Sequence, residues 1–197
     1  MSSGQSELLL ATARVVAAFE KLGIDYLVGG SIASSVFGEP RQTLDADLIA
    51  RLFGRHIELL IEILASEFYT DLPAITAAVQ NQGSFNLIHL ETATKVDVFV
   101  RWRDEFGQSQ LERRRRMSVG ESPPLDFYFA SPEDTVLAKL EWYCKGGGVS
   151  DRQWRDLLGV LKVQGPTLDQ NYLNEWARKL KVENLLVRAL DEAGLKR

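Results

Sequence analysis

Apolar positions recur at helical spacing in "SELLLATARVVAAFEKLG", where Leu8, Leu9, Thr12, Val15, Val16, Phe19 and Leu22 would share one face. The pattern predicts an opening helix with Ser6 as N-cap and Gly23 as its stop. "IDYLVGG" then reads as a short buried strand ending in a glycine turn, and "SIASSVFG" as a short helix beginning at Ser31. In "LDADLIA" the period changes to two, with Leu44, Ala46 and Leu48 on one face and Asp45, Asp47 and Ile49 on the other. A helix is expected in "GRHIELLIEILASEF", followed by strands in "FNLIHL" and "KVDVFVRW" close enough in sequence to pair antiparallel.

Beyond Pro123 and Pro124 the pattern is helical apart from a short strand in "LDFYFA". "SPEDTVLAKLEWYCK" has Ser131 as N-cap, Pro132 at the first helical position and Asp134 closing a capping box. Ser150 with Gln153 and Thr167 with Gln170 repeat the device for the next two helices, and "VENLLVRALDEAG" is the last. The expectation is an α+β fold whose mixed sheet is flanked by helices, in residues 1–130, with a helical domain in residues 131–197.

Composition narrows the class. The 197 residues are 45% apolar and 25% charged, in the range of a globular protein. A net charge of −4 gives no electrostatic reason for non-specific nucleic-acid binding. Cys144 is the single cysteine, which excludes an intramolecular disulfide and reads as a buried inert thiol. "LLLATARVVAAF" is broken by Arg14 and too short to span a bilayer, and no basic start or cleavage site precedes it. A cytoplasmic protein without a membrane partner is expected.

Asp45 and Asp47, at i and i+2 of one strand, would point to the same side of the sheet. Asp97 lies in a strand flanked by Val96 and Val98, where a carboxylate is costly to bury unless paired or ligating. Three aspartates on one sheet face could hold the divalent cations that phosphoryl and nucleotidyl transfer use. Gly29 and Gly30 would let the backbone approach a ligand at the start of a helix, where Ser31 could bond a phosphate oxygen.

These residues resemble the nucleotidyltransferase superfamily of DNA polymerase beta, especially its small bacterial members. Gly30 and Ser31 match the glycine-serine signature, Asp45 and Asp47 the paired metal ligands, and Asp97 the third carboxylate. Arg41 and Thr43 match the Arg-x-Thr that precedes the pair. "SPEDTVLAKLEW" followed by "SDRQWRDLLGVL" is similar to AbiE-type toxins, which implies that Lys139 contacts phosphate with Asp151 or Asp156 assisting. Thirteen residues separate Ser31 from Asp45, a slightly longer gap than the family's usual one. The resemblance implies a catalyst that uses Mg²⁺ or Mn²⁺ to move a nucleoside monophosphate from NTP to a hydroxyl of a protein or RNA, in a toxin–antitoxin setting. The alternative is a non-catalytic nucleotide-binding or antitoxin-type module of the same fold.

Other features have plainer readings. Lys139 could equally be a lysine snorkelling at the edge of the core, and Asp151 and Asp156 helix-surface charges, the latter paired with Arg152 or Arg155. "ERRRRMS" reads first as a solvated basic face. His56 and His89 lack a second ligand at metal spacing, "KGGGVSD" is an interhelical loop, and Trp142, Trp154 and Trp176 are expected in the helical core.

Overall fold

The computed structural model describes residues 3–120 and 124–195, so Pro123 lies outside the described residues. The chain divides into two compact units: Met1–Gly29 with Gln42–Phe129, and Gly30–Arg41 with Ala130–Arg197.

The first unit carries a mixed seven-stranded sheet with the strands β1 (Tyr26–Val28), β2 (Asp45–Ala50), β3 (Phe68–Tyr69), β4 (Ser84–His89), β5 (Lys95–Val100), β6 (Arg115–Val119) and β7 (Leu125–Phe129). Their order is β3-β4-β5-β2-β1-β7-β6. β2 lies parallel to β5 and β1 parallel to β7, whereas the other neighbours are antiparallel. The α+β class and the mixed sheet are therefore as expected.

Alternation along the central strands decides which face is buried. Ala46, Leu48 and Ala50 of β2 and Val96, Val98 and Val100 of β5 are fully buried. Helix α1 (Ser3–Lys21) lies against β2, β5 and β7. It begins three residues ahead of the expected Ser6 cap and stops as expected at Gly23, whose φ of 67° closes the helix with an N–H bond to the Glu20 carbonyl.

The helix read from "GRHIELLIEILASEF" is a 3-10 turn, Gly54–His56, leading into α3 (Ile57–Leu64). Two helices have no counterpart in the sequence reading, α4 (Leu72–Asn81) and α5 (Glu105–Arg113), capped by Asp71 and Asp104. The strand β6 is another addition: Arg115 and Arg116 lie in it, exposed at the sheet edge, with Arg116 paired to Asp126. Arg114, just before it, bonds Asp25 at 2.9 Å.

The second unit is built from α2 (Gly30–Phe37), α6 (Pro132–Lys145), α7 (Asp151–Gln164), α8 (Gln170–Lys179) and α9 (Glu183–Glu192). Helix α2 packs on α6 and α7, and a methyl group at Gly38 would stand 2.6 Å from the Val160 nitrogen, so only glycine permits that approach. Ser131 and Ser150 cap α6 and α7 as expected. Asp134 accepts the Ser131 hydroxyl at 2.8 Å, whereas a full capping box would take the Ser131 N–H. Asp169 replaces Thr167 as the cap of α8, because Thr167 is drawn into a 3-10 turn ahead of it.

Two burial expectations are reversed. Cys144 is exposed, and Trp142 is 46% exposed beneath the Lys145 ammonium, because both face outward from α6. Trp154 and Trp176 are buried as expected. Among the described residues no helix is long and apolar enough to cross a membrane.

Candidate active site

In the first unit, parallel pairing of β2 with β5 sets Asp45 opposite Lys95 and Asp47 opposite Asp97. Register partners on parallel strands project to the same side, so Asp45, Asp47, Asp97 and Lys95 share one sheet face, opposite the buried alanine, leucine and valine positions. Asn86 of β4 stands opposite Asp97 on its other flank.

The local chemistry of this face is uneven. Thr43 is buried and donates its hydroxyl to Asp45 Oδ1 at 2.9 Å, fixing that carboxylate at the head of β2. The Lys95 ammonium bonds Asp97 Oδ2 at 2.8 Å. The bond from Asp97 raises the Lys95 pKa against its partial burial, and the charges of Asp97, Asp45 and Asp47 raise it further. Asp97 Oδ1 is buried with no hydrogen-bond partner.

A cation of the Mg²⁺ type takes oxygen ligands and needs only one or two carboxylates when phosphates and water complete its octahedron. Three aspartates on one face supply that donor set, and the unpartnered Asp97 oxygen is an acceptor whose demand nothing in the protein meets. Yet among the described residues no three His, Cys, Asp or Glu side chains are grouped closely enough to hold a metal ion. The donors fit a divalent cation in kind; their spacing, with Asp97 drawn to Lys95, leaves the group open.

In the second unit a different cluster forms. Arg41 donates to both oxygens of Asp156 at 2.7 Å and to the Ser31 hydroxyl at 2.6 Å, and Lys139 donates to Asp156 Oδ2 at 2.8 Å. Side chains of Lys139 and Asp156 are only 5% and 6% exposed. Lys139 is therefore neither at the edge of the core nor snorkelling, and Asp156 is buried between Arg41 and Lys139 instead of pairing with Arg152 or Arg155. Burial alone would push the Asp156 carboxyl up; the bonds and charges of Arg41 and Lys139 outweigh it and hold the group below the usual carboxylate range. Asp151 is exposed in the first turn of α7.

The two glycines have distinct duties. Gly29 donates its N–H to the Asp47 carbonyl at 2.8 Å, and a Cβ there would meet Ile49 at 2.9 Å. Gly30 opens α2 with a φ of 54°, a conformation that side chains disfavour. Ser31 is buried, and since its oxygen accepts from Arg41 its own O–H remains a donor.

Sequence reasoning passed over Lys95 and the pairing of Asp156 with Arg41. The first was visible in principle, because Lys95 sits two residues before Asp97 and period-two alternation puts both on one face. The second was not, since Asp156 stands 115 positions beyond Arg41. His56 is structural, with Nδ1 accepting the Phe53 N–H at 3.2 Å, and His89 bonds Thr92 at 2.9 Å.

No family model matches the chain, and no curated protein is similar to it in sequence. Similarity to solved structures is clear. An antigenic nucleotidyltransferase-like protein from Paracoccidioides brasiliensis is 18% identical with a TM-score of 0.59, over 96% of this chain and 93% of that one. The antibiotic-resistance factor ANT(2'')-Ia in solution is 12% identical with a TM-score of 0.57, over 96% and 98%. ANT(2'')-Ia in complex with adenylyl-2''-tobramycin is 13% identical with the same TM-score, over 89% and 97%. The chain thus has the fold of nucleotidyltransferase-like proteins, and at these identities the likeness is one of fold.

Proposed function

We propose that this protein transfers a nucleoside monophosphate from an NTP to an acceptor hydroxyl and releases pyrophosphate. The observation that carries the reading is the register of β2 on β5, which lines up Asp47 with Asp97 and puts Asp45 on the same face, with one Asp97 oxygen buried and unpartnered. Asp45, Asp47 and Asp97 would hold Mg²⁺ or Mn²⁺, which when bound neutralises phosphate charge and lowers the pKa of the attacking hydroxyl. Thr43 orients Asp45 for that task. Asp97 would complete the cation site and so help to activate the acceptor hydroxyl.

In the second unit Gly30, Ser31, Arg41 and Lys139 are assigned to the NTP phosphates. Arg41 and Lys139 both bond Asp156, which gathers two cationic groups beside Ser31, whose O–H supplies a donor for a phosphate oxygen. Gly29 contributes by holding the strand end against Asp47. The acceptor class is a protein or RNA hydroxyl, a reading supported by the resemblance of residues 131–142 and 150–161 to AbiE-type toxins, and with it goes a role in a bacterial toxin–antitoxin system. A non-catalytic nucleotide-binding or antitoxin-type module would leave the three aspartates without a use.

The test is incubation with labelled NTPs, Mg²⁺ or Mn²⁺ and a cell extract, with tobramycin as a small-molecule acceptor in a parallel arm and Asp45→Asn as control. Labelled protein or RNA that disappears with Asp45→Asn is the expected result. Labelled tobramycin would reassign the acceptor. NTP binding without any labelled product would favour the non-catalytic module.

A further inference from the structure

Lys95 is a charged group on the carboxylate face that the proposed chemistry does not use. It stands opposite Asp45 in register, shares its strand face with Asp97, and bonds Asp97 Oδ2 at 2.8 Å. A lysine ammonium is a compact, strongly hydrated point charge on a flexible stem, and this one is 42% exposed, so it can leave the carboxylate for water at small cost. Asp97 is different, only 14% exposed and with its second oxygen unpartnered. A buried carboxylate sharing its face with two further aspartates needs a cation, and Lys95 is a cation that the chain itself holds against Asp97.

We infer that Lys95 is a built-in counter-cation of the carboxylate face, neutralising Asp97 in the metal-free protein and moving aside when a divalent cation is bound. The inference rests on the assignment of Asp45, Asp47 and Asp97 to that cation. It also accounts for the open spacing of the carboxylates: while Asp97 is turned to Lys95, the three do not close on a common point. Affinity for the divalent cation is multiplied by the fraction of molecules in which Asp97 is available, so Lys95 lowers loading by metal alone. Binding of NTP, which brings phosphate ligands of its own, makes up the difference, and metal is then taken up mainly with the nucleotide.

The test is Mn²⁺ binding, followed by the electron paramagnetic resonance of the free ion, for the wild type, Lys95→Met, Asp97→Asn and the double variant, with circular dichroism as a check on folding. Lys95→Met should bind Mn²⁺ about tenfold more tightly than the wild type, and Asp97→Asn in the Lys95→Met background should cancel the gain. Equal or weaker binding by Lys95→Met, with Asp97-dependent binding in the wild type, would overturn the role of Lys95 and leave the metal site standing. No Mn²⁺ binding by any variant, with or without a non-hydrolysable NTP, would instead remove the metal assignment and this inference with it.

A second measurement needs no variant. Acetylation of Lys95 by an N-hydroxysuccinimide ester, read by mass spectrometry against Lys21, should rise severalfold when Mg²⁺ and a non-hydrolysable NTP are added. Unchanged labelling in protein shown to bind Mn²⁺ would refute the displacement.

Discussion

The carboxylate face of the first unit and the Arg41–Asp156–Lys139 cluster of the second are both concentrations of charge, built to opposite plans. On the face, the Lys95 ammonium that bonds Asp97 is half in water, and the other Asp97 oxygen is left without a partner. In the cluster, two cations hold one carboxylate at hydrogen-bond distance on both its oxygens, and burial screens the arrangement from water. The first leaves a buried carboxylate oxygen unmet, as the proposed cation site requires; the second is internally bonded and contributes to the fold as it stands. A charged site that serves binding can thus be told from one that also serves stability by asking which of its atoms lack partners.

Substitutions should separate the two. The largest effect is expected for Asp45→Asn or Asp97→Asn, each lowering the rate of labelled-product formation by at least about a hundredfold with the circular dichroism unchanged. In the cluster, Asp156→Ala removes the carboxylate common to Arg41 and Lys139 and should cost about 3 kcal/mol in urea unfolding. The counterpart on the face, Asp97→Asn, breaks an ion pair whose ammonium is half in water and should cost no more than about 1 kcal/mol. If Asp97→Asn destabilises as much as Asp156→Ala, the contrast between the two regions is wrong.

Thr43→Val should weaken Mn²⁺ binding about tenfold by freeing Asp45, an effect typical of groups that orient metal ligands, without the stability loss of Asp156→Ala.

Acid titration gives the smallest and most selective readout. Burial, assisted by the Arg55 charge, lowers the His56 pKa below its ordinary 6.5, so the folded state favours the neutral ring. Its contribution is complete above pH 6.5 and is lost as pH falls through the lowered folded value. His56→Gln should therefore flatten the stability profile at mildly acid pH. Asp156, also lowered in the folded state, contributes above its ordinary 3.8 and is lost only in stronger acid, as pH falls through its folded value. Asp156→Asn should flatten that lower limb alone, measured by thermal unfolding at successive pH values.

Much of this was legible in residue order. Alternation in "LDADLIA" and "KVDVFV" put Asp45 and Asp47 on one face and valines opposite Asp97, because a strand has a period of two whatever its neighbours. Leu44 broke the pattern: it precedes β2 and is 90% exposed, since alternation binds only residues inside the ladder. Helix α4 went unread because its small residues in "PAITAAVQN" make a weak apolar stripe, although the Asp71 cap was present. Strand β6 went unread for another reason. Arginines carry no strand pattern, and its place follows from pairing with β7.

Sequence by itself determined the class of fold, the glycine-serine helix start and the face shared by Asp45 and Asp47. Each of these is local, set by torsional freedom or by side-chain period over a few residues. Tertiary structure decided the rest: that β5 lies parallel beside β2 so that Asp97 meets Asp47, that Lys95 is the cation held there, and that Arg41 finds Asp156 across 115 positions. Those pairings depend on which strands and helices become neighbours, and burial of apolar area selects neighbours without regard to their distance along the chain.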